Sequence, residues 1–401
     1  MWFTFIVFLI WRIVDLLIAY IAELFDTYNE HFLYRFQLYH YDPYIPKFLI
    51  NFANYDGAHY LHIAHDGYKQ YEQAFFPLFP LLTHILAPVF GSGYFLAGFF
   101  ISNTSFLFGL YFFKKYLEAL GKSQKEIIWI LLFLLIFSTS FFFGTVYTEG
   151  LFFLLVSATL YFAQKKQYKM LVFVSILAAL TRLMGVFLIV PLLSTLLIGD
   201  NKFALVGNTI KKKGVSFLQY LFSHKKAVLL SFSPLAGLFL YMIYLFITVH
   251  DPFSFYHSLS GFNTGRTIHK VIFLPQVYYR YIRIFLVAPH NIAYFVAVVE
   301  FITFNLFFIV LLYDLWVLWK KRHLPVNISL IGLNIFSFVN LLLPTFTGTL
   351  TSLPRYTLFS SSFFLRIAEI KNVLIRTALL ILFAIFHVVL LSLFIQGYFV
   401  S

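Results

Sequence analysis

The 401-residue sequence contains no cysteine and little charge. Without cysteine, the chain has no disulfides and no thiolate metal sites. Charged residues make up 11% of the chain, against 61% hydrophobic and 22% aromatic residues. Water-soluble domains of this length carry far more charge. The composition therefore excludes a soluble enzyme and favours a protein that is folded inside a lipid bilayer.

Apolar runs long enough to cross a bilayer recur from end to end, whereas the short alternating strands of a membrane barrel are absent. We expect an all-α polytopic membrane protein, a single transmembrane domain over residues 1–401 with about 11 transmembrane helices. The expected spans are 2–24, 94–113, 127–143, 150–164, 169–181, 184–198, 228–249, 291–319, 324–344, 356–369 and 373–396.

The formal net charge of +13 raises the question of a nucleic-acid partner, and the distribution of the charge argues against one. If the amino terminus is cytoplasmic, 19 of the 29 Lys and Arg residues fall in inside loops, in clusters such as Lys211–Lys213 and Lys320–Arg322. This asymmetry is a topology signal. We expect the basic loops to contact membrane lipids, and we expect no nucleic acid.

Two outer segments are long, residues 25–76 and 250–290. Both are aromatic and carry scattered charges, with apolar residues at helical spacing, so we expect amphipathic helices at the membrane interface. The polar, basic segment 199–227 is expected to be a connector on the inner side. No internal repeat is evident, which weakens a transporter built from inverted halves.

Two further segments look irregular for transmembrane helices. The run 169–198 is too long for one span and is interrupted at Thr181-Arg182 and Gly185, which predicts a helical hairpin or a broken helix. The segment from Pro344 to Pro354 also breaks the helical pattern.

The polar residues crowd the expected outer face. The stretch Asn54–Tyr68 places acids, imidazoles and aromatic rings in the first outer loop. Asp56, Glu149, Arg182 and Arg355 all fall at that face in the expected topology. Polar groups in so apolar a chain are by default candidates for function.

Such a set suits sugar transfer from a phosphate-linked donor. A carboxylate such as Asp56 can deprotonate the acceptor hydroxyl, a step that contributes on the order of 10²–10⁴-fold in rate. The leaving group is already a phosphate, so the second carboxylic acid of a glycosidase is not required. Arginine can stabilise the phosphate charge as the bond breaks. A donor with a polyprenyl tail would explain the membrane location.

Structural roles are the alternatives for each of these residues. Asp56 before glycine could form a turn, and Glu149 could be an acid that stabilises a helix start. Arg182 and Arg355 could extend to the membrane interface.

Three histidines, His59, His62 and His65, are spaced by three and followed by Asp66. On a helix they form one stripe, which allows a metal site or a row of interfacial polar groups that bond donor phosphate. A divalent metal is therefore possible but not indicated. Arg12 and Asp15 lie inside the first span at i, i+3 spacing, and we expect them to have a structural role.

At these residues the chain resembles the PIG-V family, the GPI mannosyltransferase 2 family with its prokaryotic relatives. That family carries Trp-Asp-Gly-x-x-Tyr-x-x-Ile-Ala-x-x-Gly-Tyr and then Ala-Phe-Phe-Pro-Leu-Tyr-Pro. The corresponding segments here are Tyr55–Tyr68 and Ala74–Pro80. Further matches are Tyr147-Thr148-Glu149, Arg182-Leu183-Met184-Gly185 and Pro354-Arg355-Tyr356. The family's usual tryptophan is Tyr55 here, and the likeness is thin beyond residue 200.

The resemblance implies a GT-C glycosyltransferase fold, an outward-facing site, a polyprenyl-phosphate-mannose donor and an inverting mechanism. It implies a glycolipid or glycan acceptor, and the compact chain fits a prokaryotic cell membrane better than the endoplasmic reticulum. With it, we expect Asp56 to be the general base and Glu149 to orient a catalytic side chain or the sugar. The expected donor-binding residues are Arg182, Arg355, His59, His62, Tyr60, Tyr147 and Tyr356.

Two other kinds of function remain open at this point. A lipid or glycolipid transporter without transferase activity also needs polar groups in the membrane, but it would place them across the whole bilayer. An assembly subunit without activity is the third possibility.

Overall fold

The computed structural model describes residues 1–25, 29, 34–198, 222–261, 270–322 and 324–400. Every regular element in these ranges is a helix. The α-helices, in chain order, are α1 Trp2–Glu23, α2 Tyr34–Tyr41, α3 Lys47–Ile50, α4 Asp56–Asp66, α5 Leu78–Leu86, α6 Tyr94–Ala119, α7 Gln124–Ile136, α8 Glu149–Gln164, α9 Tyr168–Thr181, α10 Ile189–Ile198, α11 Lys225–Ser231, α12 Pro234–Val249, α13 Ser254–His257, α14 Leu274–Val287, α15 Ile292–Lys320, α16 Pro325–Leu342, α17 Leu353–Tyr356, α18 Ser361–Ala368 and α19 Val373–Ile395.

Five helical segments of the described chain are long and apolar enough to cross a membrane: α1, α6, α15, α16 with the turn after it, and α19. The pair α11 and α12 makes a sixth if it is counted as one span bent by 46°. The chain is therefore an all-α, multi-pass membrane protein. Helices α5, α8, α9 and α10 are apolar but shorter, and the expected total of about eleven spans stays a prediction.

The breaks predicted from the sequence are confirmed. Helix α9 ends at Thr181, Arg182 is extended, and a 3₁₀ segment Leu183–Leu188 leads into α10. Helix α16 ends at Leu342, and the chain then turns through Gly348, which has a φ of 91°, and Ser352, which has a φ of 66°. Both breaks end near the candidate site described below.

Two expected spans are wrong in their extent. The expected span 127–143 is helical only as far as Ile136 and continues as a 3₁₀ turn, Ser140–Gly144. The expected span 356–369 contains the eight-residue helix α18, which at 1.5 Å per residue is too short to cross a bilayer. Hydroxyl groups explain part of the interruption, since Ser140 Oγ donates to Leu135 O at 2.6 Å and Ser360 Oγ donates to Ser337 O at 3.0 Å.

The two outer segments contain the expected short helices. Residues 25–76 hold α2, α3 and α4, and residues 250–290 hold α13 and α14. Helix α14 is amphipathic; it buries Val277 and Tyr281 and leaves Ile282 and Leu286 exposed. Most of the expected inner connector 199–227 lies outside the described residues.

Aromatic side chains pack in the core next to the start of α8. Phe106 stacks on Phe143 with 4.3 Å between ring centroids, and Phe152 meets Phe359 edge-on at 4.7 Å. Aromatic pairs of this kind contribute about 0.5–1.5 kcal/mol each beyond area burial. The packing ties the 3₁₀ turn Ser140–Gly144 to α6, and the start of α8 to the chain that follows Arg355.

Candidate active site

An ion pair joins the segment 25–76 to the chain after α16. The Nη1 atom of Arg355 lies 2.7 Å from Oδ2 of Asp56. The Arg355 side chain is 8% exposed and that of Asp56 is 30% exposed. A buried cation thus meets a carboxylate that keeps access to solvent.

Glu149 lies behind this pair and joins both arginines. Its Oε1 atom accepts a hydrogen bond from Nη1 of Arg182 and lies 3.5 Å from Nε of Arg355. The Glu149 side chain is 1% exposed, and its Oε2 atom has no hydrogen-bond partner among the described residues. Buried charges need compensation of this kind, and here two carboxylates balance two guanidinium groups.

The backbone before α4 fixes the position of Asp56. Asn54 Nδ2 donates to Phe394 O at 2.8 Å, and Tyr55 OH donates to Gly397 O at 2.6 Å. Tyr55 has a φ of 59°, a left-handed value that is uncommon outside glycine and is held here by these contacts. Asp56 is then the first residue of α4, where the helix dipole favours an acid. It begins a helix and does not merely make a turn.

Gly57, directly after Asp56, lies in a tightly packed position. A Cβ atom added at Gly57 would lie 3.2 Å from both Val146 O and Ala53 Cβ. The start of α4 therefore packs closely against the segment before α8, and a side chain at Gly57 would require these neighbours to shift by a few tenths of an ångström. This close approach brings Asp56 and Glu149 into one site.

Arg182 reaches the site from the break between α9 and α10. Its Nη1 atom also donates to Thr148 Oγ1 at 3.1 Å. The guanidinium carbon lies 5.3 Å from the Tyr356 ring centroid and 5.4 Å from that of Phe359, within the range of cation–π attraction. The Arg182 side chain is directed to Glu149 and is 12% exposed, so it is held inside the protein.

The three predicted tyrosines have different surroundings. Tyr147 is 2% exposed and donates to Asn54 O at 2.7 Å, so it supports the turn before Asp56. Tyr60 is also buried, with its hydroxyl 3.5 Å from Thr148 Oγ1. Tyr356 is only partly buried and lies beside both arginines, 5.8 Å from the guanidinium carbon of Arg355. Of the three, Tyr356 is therefore the best placed to touch a bound ligand.

Glu72, which the sequence analysis did not single out, lies between two of the predicted histidines. His59 Nδ1 is 3.0 Å from Glu72 Oε1, and His62 Nδ1 is 2.9 Å from Oε2. The Lys69 backbone N–H also donates to this carboxylate at 2.9 Å. A signal was present, because His59 and His62 share a helix face and Glu72 follows in a short loop.

The environment of Glu72 keeps it ionised. Burial alone would raise the pKa of Glu72, but the hydrogen bonds from His59 and Lys69 and the charge of His62 outweigh burial and lower that pKa. The group of Glu72 with His59 and His62 fastens the loop after α4 to α4 itself.

The histidine stripe does not form a metal site in the part of the chain that the structure describes. No group of three or more His, Cys, Asp or Glu side chains there is arranged to hold a metal ion. His65 Nδ1 instead lies 2.7 Å from Asp66 Oδ1.

The charged pair of the first span is part of a larger buried network. Arg12 Nη1 lies 3.7 Å from Asp15 Oδ2, and Arg12 Nη2 donates to Gly144 O at 2.9 Å. Asp15 Oδ1 lies 2.8 Å from His387 Nε2 on α19. The network joins the first and last described helices and supports the 3₁₀ turn before Glu149. The role of His387 is not apparent from the sequence.

The four charged residues that sequence analysis placed at one face do meet. They come from the starts of α4 and α8, the break after α9 and the turn α17. The arrangement places two guanidinium groups around Glu149, with the solvent-accessible carboxylate of Asp56 at its edge.

No family model, curated protein or solved structure matches this chain. The likeness to the PIG-V family therefore stays a prediction that rests on the quoted motifs.

Proposed function

We propose that this protein is an integral-membrane glycosyltransferase of the GT-C type. It would transfer a hexose, by our prediction mannose, from a polyprenyl-phosphate donor to a hydroxyl of a lipid-linked or glycan acceptor. The site would open to the non-cytoplasmic side, and transfer would invert the anomeric carbon. The contact between Arg355 and Asp56, backed by Glu149 and Arg182, is the observation that carries this proposal.

The donor phosphate would compete with Asp56 for Arg355. A carboxylate that is paired with a guanidinium is a weak base, because protonation would break the pair. The donor phosphate is a diester that carries one negative charge and two non-bridging oxygens, and the planar guanidinium group of arginine suits it geometrically. Donor binding would thus release Asp56 from Arg355. The base would then become active only when the donor is bound.

The reaction then needs one proton acceptor and no acid. Asp56 takes the proton of the acceptor hydroxyl as its oxygen attacks the anomeric carbon. The bond from that carbon to the phosphate oxygen breaks, and its electron pair leaves with the polyprenyl phosphate. Arg355 and Arg182 stabilise the charge that develops on the phosphate.

Glu149 supports this chemistry through the arginines. It is buried deeper than Asp56 and contacts both guanidinium groups. Of its two expected roles, this geometry supports the orientation of a catalytic side chain. His59 and His62 would assist from the edge of the site by hydrogen bonding. The Nδ1 atom of each already contacts Glu72.

The proposal is tested with purified protein and polyprenyl-phosphate-mannose in the presence of candidate lipid acceptors, with and without a chelator. Mass spectrometry of the products should show a mannosylated acceptor and free polyprenyl phosphate. D56N protein of equal thermal stability is the matched control. Movement of labelled lipid across vesicles without any sugar transfer would favour the transporter instead.

A further inference from the structure

The turn that carries Arg355 is held by Glu300 and Tyr281, two residues that lie outside the predicted motifs. Glu300 lies on α15 and is 4% exposed. Tyr281 lies on the amphipathic helix α14 and is 3% exposed. The Tyr281 hydroxyl donates to Glu300 Oε2 at 2.6 Å. The two side chains thus join α14, from the second outer segment, to a membrane-spanning helix.

Both side chains bind backbone N–H groups of the turn before Arg355. The Ser352 N–H donates to Glu300 Oε1 at 3.1 Å, and the Leu350 N–H donates to the Tyr281 hydroxyl at 3.1 Å. Ser352 and Leu350 lie three and five residues before Arg355. Glu300 and Tyr281 therefore bind the backbone N–H groups of Ser352 and Leu350, in the segment that leads to Arg355.

This segment has a conformation that needs such support. Ser352 has a φ of 66°, a left-handed conformation that is energetically unfavourable for a residue with a side chain. The Ser352 carbonyl accepts from the Arg355 N–H at 3.2 Å, so Ser352 and Arg355 belong to one turn. Releasing the Ser352 amide from Glu300 would allow Ser352 to relax and would move Arg355 with it.

A further contact binds α14 to the same segment. Arg280 Nη1 donates to Gly348 O at 2.9 Å. Helix α14 therefore touches the turn at Gly348 and at Leu350, while Ile282 and Leu286 on the same helix are exposed.

We infer that Glu300 and Tyr281 are positioning residues that hold the Arg355 turn in the conformation that binds the donor phosphate. They act through backbone amides and do not touch the reacting atoms. The inference rests on the proposed function for its effect on transfer. The effect on the turn itself can be measured without any transferase activity.

The chain offers a matched control one turn of helix away. Tyr278, on the same helix, donates to Asn305 Oδ1 on α15 at 2.6 Å, and its ring meets Phe301 and Phe304 of α15 edge-on. Y278F and Y281F each remove one tyrosine hydroxyl between α14 and α15. Only Y281F removes a hydrogen bond to the turn.

The first test is hydrogen–deuterium exchange of the full-length protein in detergent or nanodiscs. We expect Y281F and E300Q to speed exchange at Leu350 and Ser352 roughly three- to tenfold, the range for loss of one hydrogen bond. Exchange in α6 and α8 should stay at the wild-type rate. Y278F should leave the turn unchanged. If Y281F and Y278F change the turn equally, or neither does, the pair only packs α14 on α15 and the inference is overturned.

The second test separates this inference from the proposed function. In the transfer assay, Y281F and E300Q should raise KM for the polyprenyl-phosphate donor, and the more conservative E300D should restore part of the loss. KM for the acceptor should stay near the wild-type value, whereas general destabilisation would change both. If wild-type protein transfers no sugar, the proposed function fails and the exchange experiment still decides the role of the pair. Faster exchange with unchanged donor KM would limit the pair to a structural role.

Discussion

The Nη1 atom of Arg355 lies 2.7 Å from Oδ2 of Asp56, although the two residues are far apart in the sequence. The pair depends on a turn with left-handed Ser352 on one side and left-handed Tyr55 on the other. Two uncommon backbone conformations thus converge on one ion pair, and such conformations persist where the surrounding structure holds them. We connect this pair to donor binding, and the following predictions test that connection.

Replacing Asp56 with asparagine should keep the fold and reduce sugar transfer by about 10²–10⁴-fold, because the amide cannot accept the acceptor's proton. Initial rates of transfer measure this effect. D66N is the matched control, since Asp66 ends the same helix α4 at the far side and is exposed. Transfer by D56N at a rate close to that of D66N would remove Asp56 from the role of base.

Replacing Arg355 with lysine should weaken donor binding by roughly 10- to 100-fold, because lysine keeps the charge but loses the planar guanidinium geometry. Binding of polyprenyl phosphate by titration of the purified protein measures the change. R322K is a control at an exposed arginine whose Nη1 donates to the backbone carbonyl of Trp319. Equal donor affinity in R355K and wild type would contradict the assignment.

Removing the charge of Glu149 should destabilise the protein by about 3 kcal/mol or more, because two buried arginines then lack a shared partner. A lower midpoint of thermal unfolding for E149Q shows this effect. The double variant E149Q/R182M removes one arginine charge as well and should be less destabilised than E149Q. Strictly additive losses in the double variant would indicate that Glu149 and Arg182 are not coupled.

The Glu72 contacts predict a dependence of stability on pH. The pKa of Glu72 is lowered in the folded protein from its ordinary value of 4.5, so its stabilising effect is complete above pH 4.5. The effect is lost as the pH falls through the folded-state pKa. E72Q should therefore be less stable than wild type near neutral pH, and the difference should shrink below pH 4.5. A difference in unfolding temperature that stays constant across this range would contradict the prediction.

The sequence predicted the membrane class and the four charged residues of the site because these depend on local signals. Apolar length identifies helices such as α1 and α19, and scarce polar groups in an apolar chain mark Asp56 and Glu149. The breaks after Thr181 and around Gly348 were visible because arginine, glycine and proline interrupt an apolar pattern.

The sequence did not predict the partners that come from distant segments. His387 looks like an isolated polar residue on α19, and only the fold places it against Asp15. Glu300 similarly looks like an isolated charge within a long helix, and its contact with the Ser352 amide is tertiary. The expected span 356–369 failed because apolar composition does not reveal that hydroxyl groups interrupt the helix.

A structure of the protein with bound polyprenyl phosphate tests the central claim most directly. We predict phosphate oxygens within hydrogen-bond distance of Arg355 and Arg182, with Asp56 separated from Arg355 and open to an acceptor hydroxyl. A phosphate bound elsewhere, with the contact between Arg355 and Asp56 still intact, would contradict the proposed reaction.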